Sequence, residues 1–286
     1  MESDNYIKME FLRLRDWIDA NKLNWDMLSL NLNAIGLLEQ NQDKINWMQL
    51  SSNPSAIDLL EHNQDKINWF KLSENPNATK LLAQNLDKIE FYWLSKNPST
   101  IELLMTKPNE IHWNWLSQNP SAIELLAQNP NKTCWWQLSR NPNAIKWLTT
   151  NQDKIHWFYL SMNPNAIKLL EQNPDKISWS ALYGNPNAMD LIMTKPEEIN
   201  WDRLSGNPSA IELLEQNQDK IHWWSLSRNP SIFTYDYTAI REAKSIEIQC
   251  IAEYFNHPRF VAKFLSEHGI EDLDDFEEWR LNRYVC

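Results

Sequence analysis

Histidines 112, 156 and 222 each stand directly before a tryptophan. Three imidazoles in one register could serve zinc, which takes nitrogen ligands at ~2 Å. They fall two and three repeats apart in the pattern set out below. At roughly 8–10 Å per stacked unit they would lie about 20–30 Å from one another, too far to share an ion. Cys134 occupies the same register, but its own segment holds no histidine to activate a thiolate. Carboxylates recur beside lysine, as in Asp65-Lys66 and Asp153-Lys154. General acid–base chemistry needs carboxylates converging in a cleft, and a linear ladder of solvated pairs does not supply that. No Gly-rich phosphate loop, C-x-x-C or G-x-S-x-G is present. These residues point to no catalytic, cofactor or metal site, so a non-enzymatic protein is expected.

What orders those residues is a repeat. Proline follows asparagine at 54, 76, 98, 120, 142, 164, 186, 208 and 230, always 22 residues on. Tryptophan keeps the same step from 25 to 223, with Phe91 filling one place. The unit reads N-P-[SN]-A-I-x-L-L-x-x-N-x-D-K-I-x-W-x-x-L-S-x. Nine units occupy residues 31–228, the first with Leu32 in place of proline. A fixed period of this length signals stacked supersecondary units, so the expected fold is an all-α solenoid, a superhelix.

Residues 53–74 illustrate the unit. Ala56, Leu59 and Leu60 recur on one helical face. Pro54 cannot lie inside a helix, which makes Ser55 the expected N-cap, with Asp58 completing a capping box. Asn63 is expected to end the helix in a left-handed cap. An extended Asp65-Lys66-Ile67 link then leads to a short second helix near 69–74, α or 3₁₀. Helices this short hold only by stacking on neighbours. An open stack of nine would span about 80–90 Å.

The ends leave the pattern. Ile7, Phe11, Leu14 and Ile18 form a helical stripe, and 23–29 repeats the second half of a unit. Residues 1–30 are therefore expected to cap one end. Residues 229–286, with an amphipathic helix over about 237–255 and an acidic tail, are expected to cap the other with about three helices. Cysteines 134, 250 and 286 cannot all pair among themselves, which fits a reducing compartment. No signal peptide and no membrane-spanning run is evident, so an intracellular, non-secreted protein is expected.

The unit N-P-[SN]-A-I-x-L-L…D-K-I-x-W-x-x-L-S resembles a short repeat of expanded protein families in giant DNA viruses of protists. The stretch Asn229-Pro230-Ser231-Ile232-Phe233-Thr234-Tyr235-Asp236-Tyr237 resembles the exit from such arrays. The resemblance covers nearly the whole chain. It implies an interaction role in host cytoplasm, virus factory or virion, and carries no catalytic residues. More distantly, L-S-x-N-P before a leucine-bearing helix is similar to the leucine-rich repeat variant, which implies alternating α and 3₁₀ helices in a right-handed superhelix. This unit departs from that family in its Trp and Lys-Ile.

Two positions of the unit vary freely, the two that follow each column aromatic. A position that stacking requires should repeat, whereas one that meets a partner can differ from unit to unit. Phe70, Tyr92, Trp93, Trp115, Trp136, Phe158 and Tyr159 are therefore expected to form a ridge that binds a protein partner. The alternatives are a virion component in which a rod bridges capsid elements, and a nucleic-acid binder. The net charge of −11 weighs against the last. Finally, MTKPNEI (105–111) and MTKPEEI (193–199) move the lysine three residues upstream, to Lys107 and Lys195, and place Glu110 and Glu198 where lysine stands elsewhere. Local Lys107–Glu110 and Lys195–Glu198 pairs are expected, as an alternative turn that preserves the stack.

Overall fold

The computed structural model describes residues 11–243. The chain divides into two compact units, Met1–Thr234 and Tyr235–Cys286. In the second, residues 237–243 are helical. The remainder of the expected C-terminal helices, and Ile7 at the other end, lie outside the described residues.

The first unit is an all-α repeat solenoid. In 53–74 the order is a 3₁₀ turn Pro54–Ala56, an α-helix Ile57–Glu61, a 3₁₀ turn Gln64–Lys66 and an α-helix Trp69–Ser73. The second helix is thus α, and the expected extended link is 3₁₀ up to Lys66, with only Ile67 extended. The capping also differs from expectation. Asn53, not Ser55, caps the turn: its side chain accepts from the Ser55 N–H, and Pro54 takes the first position, where no N–H is needed. Asn63 is not left-handed; at φ −132° its side-chain amide donates to the Leu59 carbonyl instead. Between the two helical layers run fully buried columns, among them Leu50, Ala56, Leu60 and Leu72.

Two polar columns lock unit to unit. Asn53 is almost fully buried, and its side-chain amide donates to the carbonyls of Ser29 and Asn31, at 3.1 and 3.0 Å. Asn75, Asn97, Asn119, Asn141, Asn163, Asn185, Asn207 and Asn229 repeat both bonds on the unit before. Beside this column, Ser51 Oγ donates to the Trp47 carbonyl and accepts from the Asn68 N–H of the next unit. Tyr183 stands in the serine column, and its hydroxyl donates to the Glu198 carbonyl at 2.6 Å.

The ladder has no first rung. The Asn31 amide donates to Ser227 O and Asn229 O, both at 2.9 Å, as every other rung does to the unit before it. The Asn24 N–H donates to Ser227 Oγ, and Asn33 donates to the Pro230 carbonyl. The array is therefore a closed ring, not an open stack of 80–90 Å with a cap at each end. Residues 23–29, half a unit, join the half-unit begun at Asn229-Pro230 and complete a tenth. In this composite unit a two-stranded sheet, Leu12–Leu14 (β1) with Phe233–Tyr235 (β2), stands where the other units carry a helix. The helical stripe expected through Phe11, Leu14 and Ile18 is accordingly replaced by the strand at Leu12–Leu14, with Phe11 and Ile18 outside it. The reason is tertiary: β2 offers backbone partners, and a half-buried strand satisfies both chains. Arg15 fastens the join, its backbone N–H to Ile232 O and its Nε to Ser231 O at 2.8 Å.

Candidate interaction wall

In a closed ring, parts that come nearest their neighbours lie on the inside. Neighbouring units approach most closely along the helices that begin at the column tryptophan and along the Asn-Pro turns. The exposed face of those helices is therefore the ring's inner wall. On a short helix the column Trp and the Leu three residues on turn toward the core. The residue after the Trp then points away, the next lies between neighbours, and the residue after the column Ser projects beside them.

Burial follows this rule around the ring. The residue after the column aromatic is exposed in all ten units, from Asp26 to Trp224. Phe70 is 53% exposed, Tyr92 and Trp136 42% and Phe158 36%. The other three expected ridge residues, Trp93, Trp115 and Tyr159, occupy the second position and are half-buried. The structure gathers six of the seven into two clusters. In one, the Trp93 and Trp115 rings stack at 5.9 Å with 24° between planes, and Tyr92 packs edge-on against both. In the other, Trp136 and Phe158 lie 5.3 and 5.4 Å from Tyr159. Met48 and Trp224, exposed at the first position in other sectors, belong to the same wall. Their place after the column aromatic was the available signal.

A charged clamp holds the first cluster. Glu74 receives Lys71 at 3.0 Å and Lys96 of the next unit at 2.7 Å, and its side chain is only 10% exposed. The same ammonium groups lie over the rings of Trp93 and Trp115, at 5.4 and 5.9 Å. Burial pushes the Glu74 carboxyl up, but the hydrogen bonds and charges of Lys96 and then Lys71 outweigh it and hold it below the usual carboxylate range. The folded-state value thus lies below the unfolded one. The stabilisation is full above the unfolded value of about 4.3 and is lost as pH falls through the folded one. In thermal melts from pH 7 to pH 3, the advantage of the native chain over Glu74→Gln is expected to shrink below about pH 4.3. An advantage that stays constant to pH 3 would show that the clamp is not ionic.

The histidine column performs local work. His112 accepts from the Trp115 N–H at the start of its helix and lies 4.2 Å from the Tyr92 ring. His156 packs on Tyr159, and His222 Nδ1 meets Ser225 Oγ at 3.0 Å. Burial holds the His112 imidazole below its usual value. Cys134 is half-buried. Among the described residues, no cluster of three metal-ligating side chains occurs, and no helix is long and apolar enough to cross a membrane.

The Asp-Lys edge is more than solvated charge. Lys66 lies over the Trp47 ring at 4.4 Å, and the same contact recurs in every unit. Lys22 over Trp223 at 5.1 Å closes this cycle too. In the TKP turns the displaced lysines keep the contact, Lys107 over Phe91 at 4.4 Å and Lys195 over Trp179 at 4.7 Å. Both expected local pairs form as well, at 3.4 and 3.5 Å. Each such cation–π contact is worth roughly 0.5–1 kcal/mol. The two turns are thus structural alternatives rather than a site.

Comparison with protein-family models finds no match, and comparisons with curated proteins and with solved structures find none.

Proposed function

We propose that this chain is a non-catalytic interaction ring whose inner wall recognises a segment of another protein. One observation carries the reading. The positions that stacking uses repeat around the ring with few exceptions, such as Phe91, Thr100 and Tyr183, while the exposed first position on the wall changes in chemistry from unit to unit. Repeat proteins use their concave surfaces in this way. The exposed aromatics concentrate from Phe70 to Phe158, and aromatics dominate interface hot spots. A wall that served packing alone would have no reason to expose them. The resemblance to giant-virus repeat arrays makes an infected protist cell the setting in which to look. A closed ring lacks the two distant ends that a bridging rod would use, which leaves the interaction reading ahead of the capsid-bridge one.

Site-specific photo-crosslinking tests the proposal. A benzophenone side chain is placed at Trp136 or Phe158 on the wall, and at Asp43 on an outer turn, in the intact chain. Discrete protein adducts are expected from the two wall positions and not from Asp43. Adducts that depend on RNA, or equal labelling from all three positions, would refute a protein-binding wall.

A further inference from the structure

The wall is not uniform in chemistry. In the five units from Trp69 to Met162, its three variable positions carry Lys71, Lys96 and Arg140 against one anion, Glu74. Beyond them it turns small, with Ser180, Ala181 and Gly184, and then mixed, with Asp202 beside Arg203. With Glu90, exposed in the register that borders the wall, counted as a second anion, cations still outnumber anions three to two here, in a chain of net charge −11. Arg140 is exposed and, among the described residues, makes no salt bridge. It interrupts a run of exposed apolar faces on the same wall, Trp136 and Phe158.

We propose that the arc takes an acidic peptide segment in which carboxylates alternate with apolar or aromatic side chains. This rests on the interaction-wall reading and adds the chemistry of the occupant. The apolar side chains would lie on Trp136 and Phe158. The carboxylates would meet Arg140 and the two lysines, whose single carboxylate Glu74 leaves one positive charge over. A nucleic acid presents one phosphate per nucleotide and needs a continuous basic stripe. The arc offers three cations over five units inside an acidic molecule, which favours the peptide.

The test is selection of a displayed random 16-residue peptide library on the intact chain. It is counter-selected on the triple variant Trp136→Ser, Phe158→Ser, Arg140→Gln, whose sites are all exposed and whose melting point serves as the folding control. Enriched peptides are expected to be rich in Asp and Glu interspersed with Leu, Phe or Trp. Their retention should fall at least tenfold on the triple variant and about fivefold on Arg140→Gln alone, the latter difference vanishing in high salt. Enrichment of neutral or basic peptides that still need the wall aromatics would overturn the acidic occupant and leave the wall reading intact. No enrichment, or enrichment indifferent to the triple variant, would sink both. Low-salt retention of labelled rU20 that the triple variant abolishes would overturn the peptide in favour of single-stranded RNA.

Discussion

Asn31→Ala is expected to destabilise the ring by about 3 kcal/mol, as much as Asn119→Ala in the middle of the array. Both asparagines are fully buried. Each donates twice across a junction and accepts once, Asn31 from Asn33 N–H and Asn119 from Ser121 N–H. Alanine would leave two carbonyls and one N–H short of a partner, and each buried orphan costs about 1–3 kcal/mol, less where a carbonyl keeps a second donor. The comparison is a test of closure. In an open array Asn31 would have no unit before it, and the substitution would remove only a cap, worth about 1 kcal/mol. Urea denaturation of the full chain and both variants decides between these. A cost near 3 kcal/mol at Asn119 and near 1 kcal/mol at Asn31 would mean that the ring is open. Hydrogen exchange supplies a second reading of the same point. Open arrays fray from their ends, whereas a ring has none, so amides in 35–50 should be protected as well as those in 123–138.

The period was legible because stacking demands identity. A column of Leu or Ala between identical neighbours admits one solution, and the chain repeats it. Closure was less legible because it depends on the small rotation between units, which no single residue encodes. Its trace was present all the same. Leu23–Ser29 is a second half without a first, and Asn229–Ile232 is a first half without a second. The stripe through Leu14 and Ile18 reads as a helix because apolar spacing cannot reveal a strand partner more than two hundred residues away. Ser55 suits a cap by type, but proline at the first helical position shifts the cap to the residue before it, Asn53. The choice between Ser and Asn after the proline has a separate physical meaning. Asn77, Asn143, Asn165 and Asn187 reach back to the proline carbonyl of the previous unit, a bond that serine is too short to make. The lysine edge concealed its role because each lysine covers the aromatic of the unit before its own. Its displacement in the TKP turns, with the aromatic column unchanged, was the clue.

The same geometry divides the expected ridge into residues that present and residues that support. Trp115 lies against Trp93, Tyr92 and Lys96, all within about 6 Å of its ring, and is half-buried. Trp136 has one ring neighbour, Tyr159, and is 42% exposed. Trp115→Ala would open a cavity between two units and free Lys96 from an aromatic face. It is expected to cost about 3 kcal/mol, the lower end of the range for a large aromatic because burial is incomplete. Trp136→Ala removes one ring contact and exposed area, and is expected to cost no more than about 1 kcal/mol. For peptide retention the order should reverse: Trp136→Ala should lose binding with its melting point nearly unchanged. Trp115→Ala, measured well below its lowered melting point, should keep part of its binding through Trp136 and Phe158. Equal stability losses at the two positions would dissolve this division and return both residues to packing. A large loss at Trp115 with none at Trp136 would place the partner's contacts on the outward residue of each unit, with the half-buried one fixing how far that residue stands from the wall.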